Sequence, residues 1–127
     1  MIDRVPIPLA VFVGGAMGSL ARLAVVAALE AGDGGLVAAL LVVNVSGAFA
    51  LGWLLADRRS ASWLGPAWFG FLATGLIGSY TTFSSYAVEG VEILDRSTPL
   101  AAVAVLAGSV AVGLAAAIAG RKVGERG

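Results

Sequence analysis

A chain of 127 residues that is 59% hydrophobic and only 13% charged, with a mean hydropathy of +0.96, falls far short of the roughly one-quarter charged residues of a soluble domain and reads as a membrane protein. Neither cysteine nor histidine occurs, which excludes disulfides, thiolate chemistry, imidazole bases and the usual zinc and haem ligands and leaves the redox compartment unreadable. Eight basic and eight acidic residues cancel to zero net charge, so no basic surface invites nucleic acid.

Residues 1–8 contain Asp3 and Arg4 and run into an apolar stretch longer than the core of a secretory signal, so no cleavable signal is expected. Residues 7–29, interrupted only by Ser19 and Arg22, exceed the ~20 helical residues that one crossing needs. A second span over 36–56 holds Asn44 and Ser46, and a polar loop over 57–65 carries Arg58 and Arg59. Pro66 suits the first position of the next helix, where its missing N–H costs nothing. Residues 66–94 exceed one straight crossing, which predicts two half-helices joined by a break near 78–82. A turn over 95–99 leads to a fourth span, 100–120, and a basic tail expected to be mobile. The expected architecture is all-α and integral to the membrane: one transmembrane domain over 1–127, with the third of four helices broken mid-membrane.

An even number of spans puts both termini on one side. Arg4, Arg58, Arg59, Arg121, Lys122 and Arg126 gather there, against Arg96 on the other side, with Arg22 added if it snorkels that way. That bias predicts N-in and C-in. Trp53, Trp63 and Trp68 cluster at the same side and read as an interfacial belt. Gly14, Gly15 and Gly18, then Gly47, Ala48 and Gly52, then Ala107, Ala111, Ala115 and Ala119 form small-residue stripes that let helices approach closely. Four short spans leave little interior for a private pore, so an oligomer with its site at or near a subunit boundary is expected.

The most informative stretch is residues 75–89, GLIGSYTTFSSYAVE. Lipid tolerates glycines and hydroxyls only where the freed backbone groups are buried in protein or line a polar path, so an intramembrane ion or substrate site is the default reading. A half-helix ending in mid-membrane leaves carbonyls suited to a hard cation; the one that restarts leaves N–H groups suited to an anion. The threonines capping the break is the alternative, and both readings stand. Phe83 and Tyr86, three apart, predict rings stacked along one edge of the second half-helix, where positive ring edges suit an anion. Asn44 reads either as a bridge between helices or as a donor to a passing anion. Glu89 reads as a solvated vestibule position, Arg22 as a snorkelling side chain, and Ser109 as bonded to its own helix backbone.

Taken together, GAMGSLAR with Gly15, Gly18 and Arg22, NVSGAFALG over 44–52, and above all the TTFS that follows GxxG in GLIGSYTTFSSYAVE resemble the Fluc (CrcB) fluoride channels. The resemblance covers all four spans. It implies an antiparallel, dual-topology dimer in a bacterial plasma membrane, with fluoride as the permeant ion and a structural sodium ion at the dimer centre. It implies that the backbone carbonyls of Gly78 and Thr81 hold the sodium, that Asn44, Phe83, Tyr86, Thr82, Ser84 and Ser109 line the fluoride pore, that Glu89 sits in a vestibule, and that Arg22 is structural. Two residues depart from the family pattern: the second ring is a tyrosine at Tyr86, and a tyrosine that some members place one turn before the serine is Val105 here. The basic bias also favours one orientation, which raises a heterodimer with a paralogue of opposite bias beside the homodimer.

Two other classes were weighed. A small four-helix multidrug or cation exchanger would want a carboxylate inside the first span, where Glu30 lies only at the end; a non-conducting scaffold subunit would leave the TTFS element without a purpose. An enzyme is not expected, because no intramembrane residue is placed to act as a base.

Overall fold

The computed structural model describes residues 5–32, 35–57 and 64–126; Arg4, Arg58, Arg59 and Trp63 lie outside them. Among the described residues the chain is entirely helical. Helix α1 spans Ile7–Glu30 and α2 spans Gly35–Ala56. Helix α3, residues 66–80, opens with Pro66–Phe69, widens into a π-helix over Gly70–Ile77 and closes with Gly78–Tyr80. Helix α4 is Ser84–Arg96 and α5 is Pro99–Gly124. Three of these, α1, α2 and α5, are each long and apolar enough to cross a membrane.

Local chemistry explains the starts. Pro66 and Pro99 stand in the first turns of α3 and α5, and Thr98 caps α5 by accepting the Ala101 amide at 3.2 Å. Helix α5 runs further than the expected fourth span, 100–120, and the first residues of the expected mobile tail are helical. Two features extend it: Arg121 pairs with Glu125 at 2.7 Å, and Gly120 and Gly124 lie against the Phe49 and Trp53 carbonyls of α2.

Helix packing is built on glycine against backbone. A Cβ at Gly14 would stand 2.3 Å from the Phe71 carbonyl oxygen, and one at Gly18 2.1 Å from that of Leu76, while Gly75 faces the Val11 carbonyl. These positions advance together, so α1 and α3 run parallel. The same logic joins α2 to α5, where a Cβ at Gly52 would lie 2.2 Å from the Ala117 oxygen and one at Gly120 2.1 Å from that of Phe49. Such contacts admit Cα–H···O approach and deny any larger side chain. The alanine stripe behaves otherwise: Ala107, Ala111, Ala115 and Ala119 are all exposed on a single chain, and α5 meets α2 through Ala117, Gly120 and Gly124 instead.

Helical conformation stops at Tyr80 and resumes at Ser84, with Thr81 extended at φ −75° and ψ 154°. Gly78 therefore lies within a helix, at φ −61° and ψ −33°, and not in the interruption. Helix α4 returns along α5 in antiparallel fashion, Tyr86 meeting Val105 and Ser109 while Gly90 meets Leu106.

Candidate functional site

The three residues between α3 and α4 are held from three directions. From α2, the Asn44 side chain pairs with the Thr82 peptide: Nδ2 donates to the Thr82 carbonyl at 2.9 Å and Oδ1 accepts the Thr82 amide at 2.8 Å. From α1, the Arg22 guanidinium donates to the Thr81 carbonyl at 3.3 Å, so this half-buried side chain reaches into the protein, not out along its helix. From below, the Thr81 hydroxyl donates to the Ile77 carbonyl at 3.2 Å, and its methyl fills the place a Cβ on Gly47 would need.

Thr82 starts the next helix. Its Oγ1 accepts the Ser85 amide at 3.3 Å and donates to Ser85 Oγ at 3.1 Å, the service of an N-cap supplied from the residue before Phe83. The side chain is 7% exposed. Both its backbone and its hydroxyl are thereby satisfied.

An open groove of about 650 Å³ runs between α2, α4, α5 and the end of α3. Asn44, Gly78, Thr81, Thr82, Phe83, Tyr86 and Ser109 all stand on its wall. Ser84 touches the groove only through Thr82, whose Oγ1 is 3.5 Å from its own hydroxyl. Glu89, half-buried on α4, and Arg22 lie off the groove wall.

The two rings differ sharply. Phe83 is 81% exposed and Tyr86 6% exposed, so they do not form the common stacked edge that their spacing suggests. Phe83 keeps helical φ and ψ and its carbonyl accepts the Ala87 amide at 2.8 Å, so the difference lies in the surroundings: Tyr86 is covered by α5 and Phe83 stands open at the groove. The Tyr86 hydroxyl lies 2.8 Å from the Val105 carbonyl, Ser109 Oγ lies 2.8 Å from that same oxygen, and the two hydroxyls contact each other.

A family model described as CrcB-like protein, Camphor Resistance (CrcB), matches residues 9–121. The chain belongs to this CrcB family. It is 39% identical over 123 residues to a Deinococcus radiodurans protein named fluoride-specific ion channel FluC, covering 95% of this chain and 97% of that one. A Paracoccus denitrificans protein of the same name is 38% identical over 119 residues, with 92% and 93% covered, and one from Chlorobium phaeobacteroides is 37% identical over 120 residues, with 94% and 93% covered. This CrcB chain is a multi-pass membrane protein, as its apolar spans and its family both require.

One feature of the CrcB chain went unmarked by the spacing of its motifs. Ser46 Oγ lies 3.0 Å from the Tyr80 hydroxyl, tying α2 to the last residue of α3; the signal was a second polar side chain two positions beyond Asn44 in an otherwise apolar run. Because Asn44 takes the Thr82 amide, the Gly78 carbonyl four residues earlier has no backbone donor among the described residues, and only the Thr81 hydroxyl approaches it, at 3.5 Å. Carbonyl oxygens freed at a helix C-terminus carry negative partial charge and suit a hard alkali cation. The Gly78 oxygen fits that chemistry, and the Thr81 oxygen keeps one lone pair beside its bond to Arg22.

Proposed function

We propose that this chain forms a fluoride-selective passive channel that exports cytoplasmic fluoride and so lowers its toxicity. In this reading the active unit is an antiparallel, dual-topology dimer, the interruption between α3 and α4 lies within the membrane, and the groove beside it is the anion route. The observation that carries the reading is the groove itself: an amide, two hydroxyl-bearing residues and an exposed aromatic ring converge where helical conformation lapses. The relatives named as fluoride-specific channels support the choice of ion.

Fluoride is small and strongly hydrated, so a pore has to replace its water with donors that hold it weakly enough to release it. Asn44 Nδ2 carries two N–H bonds and commits one to Thr82, leaving one for the groove. Ser109 supplies a hydroxyl and Ser84 another beyond the wall, Thr82 lines the route with its own O–H given to Ser85, and the Phe83 ring offers a positive edge without a fixed charge that would trap the ion. Glu89 stands toward the mouth as a vestibule group. Hydrogen fluoride enters from acidic surroundings and dissociates inside; the anion then leaves down its electrochemical gradient, helped by about 2.3 kcal/mol per 100 mV.

The Gly78 and Thr81 carbonyls of each subunit are the groups that would hold a structural sodium ion, and the ion would join the two subunits by electrostatic attraction. Arg22 braces the Thr81 carbonyl and with it the bend. The excess of basic residues on one side of the membrane favours one orientation and so raises a heterodimer with a paralogue of opposite bias beside the homodimer.

Fluoride efflux from liposomes containing this protein alone, with chloride as control, tests the reading. Fast, electrogenic, fluoride-selective efflux is expected of a homodimeric channel. Efflux only on co-reconstitution with a paralogous subunit would assign the heterodimer, and a folded protein silent in both settings would remove the channel reading.

A further inference from the structure

Two hydroxyls share one carbonyl at the α4–α5 contact. The Val105 carbonyl belongs to α5, where the helical ladder already gives it the Ser109 amide. One lone pair remains. Tyr86 and Ser109 each bring one O–H within 2.8 Å of it and also touch each other. Two proton orders satisfy this set: Tyr86 donates to Ser109 Oγ and Ser109 to the carbonyl, or Tyr86 donates to the carbonyl itself and the Ser109 O–H is left free to turn to the groove.

The two side chains are not equally free to yield. Tyr86 is 6% exposed, its rigid ring is fixed by packing, and Val105 and Ser109 are the only partners of its hydroxyl among the described residues. Ser109 is half-buried on the groove wall, and a serine hydroxyl rotates about a single torsion. A serine inside a helix otherwise bonds back to the carbonyl four residues earlier. That is the arrangement Tyr86 competes against.

We infer that Tyr86 is a positioning residue for Ser109: its hydroxyl occupies the Val105 carbonyl and so releases the Ser109 O–H to face the groove as a donor to an anion. The inference rests on the channel reading and deepens it. It gives the tyrosine at this position a task that a phenylalanine cannot perform. Without the phenol, Ser109 falls back on Val105 and the groove loses a donor while keeping its shape.

The test compares wild type, Tyr86→Phe, Ser109→Ala and the double variant for fluoride efflux from liposomes, with thermal unfolding of each detergent-solubilised protein alongside. Tyr86→Phe is expected to slow efflux about tenfold, the order expected for loss of one hydrogen bond to a charged group, with its unfolding temperature close to that of wild type. Ser109→Ala should slow efflux by a similar factor, and the double variant should be no slower than either single one, because both remove the same donor. Wild-type speed in Tyr86→Phe, multiplication of the two factors in the double variant, or early unfolding of Tyr86→Phe would each overturn the inference, the last by showing the hydroxyl to be structural. Wild-type protein that passes no fluoride either alone or co-reconstituted with a paralogous subunit would remove the channel reading, and this inference with it.

Discussion

Asn44 grips the Thr82 peptide by both its faces, donating to the carbonyl at 2.9 Å and accepting the amide at 2.8 Å, so that one side chain of α2 substitutes for the helical bonds which α3 gives up. Asn44→Ala removes both partners and leaves the peptide of a 7% exposed residue unsatisfied. The expected destabilisation is about 2 kcal/mol, since each unsatisfied buried group costs about 1–3 kcal/mol. Asn44→Asp retains the acceptor but sets a carboxylate oxygen against the Thr82 carbonyl and adds a poorly solvated charge, and should destabilise at least as much as alanine. Thermal unfolding of the solubilised proteins orders the three, and equal stability of all three would show the pairing to be unimportant.

Glycines divide into two groups with opposite expectations. Gly18→Ala and Gly52→Ala place a methyl 2.1 and 2.2 Å from backbone oxygens, contacts that only helix separation relieves, and should cost about 1–3 kcal/mol as overpacking does. Gly108 and Gly113 have nothing within 4 Å. Alanine there removes glycine's helix penalty of about 1 kcal/mol, so these variants should unfold at or above the wild-type temperature. A Gly113→Ala protein that dissociates or fails to assemble would reveal that a second subunit presses on that face.

The contrast explains what was legible in the sequence. Length, apolarity and the helix-starting Pro66 mark the long helical segments, because burying backbone in hydrocarbon leaves few alternatives, while Pro99, read as part of a turn, opens α5. The glycines of α1 and α2 likewise announce close approach. The stretch between Gly75 and Glu89 was visible as a departure from apolar patterning, but its internal geometry was not. Gly75 and Gly78 suggested the point of interruption; Gly75 instead admits the Val11 carbonyl and Gly78 remains helical. The interruption falls at Thr81–Phe83 because Asn44, far away in sequence, captures the Thr82 amide. Helical periodicity assigned Phe83 and Tyr86 to one edge, yet α5 covers the Tyr86 ring and leaves the Phe83 ring open, which periodicity within one helix does not reveal. The alanine spacing of α5 was regular and faced outward.

If the Gly78 and Thr81 carbonyls of two subunits hold sodium, the ion stabilises the dimer by mass action. A site filled at a hundred times its dissociation constant contributes about 2.7 kcal/mol. Protein folded and reconstituted in sodium-free potassium medium should unfold at a lower temperature and conduct poorly, and sodium supplied during refolding should restore both. Lithium or potassium restoring stability equally would argue against a site tuned to sodium. Unfolding and flux that are indifferent to sodium throughout would dismiss the site.

Phe83 offers the cleanest separation of conduction from stability. Its ring is 81% exposed on the isolated chain and lines the groove at the point where α4 begins. Phe83→Ile keeps an apolar side chain of moderate size but removes the ring edge that would stand in for water around fluoride. Because the exposed ring contributes little to packing within the chain, thermal stability should change by no more than about 0.5 kcal/mol, while efflux should fall at least tenfold. Dimer content by crosslinking or size-exclusion chromatography decides what a loss of flux means. Intact dimers with little efflux assign the ring to the ion route; dissociated subunits would show that Phe83 is buried against the partner and serves assembly, and unimpaired efflux would take the anion elsewhere in the groove.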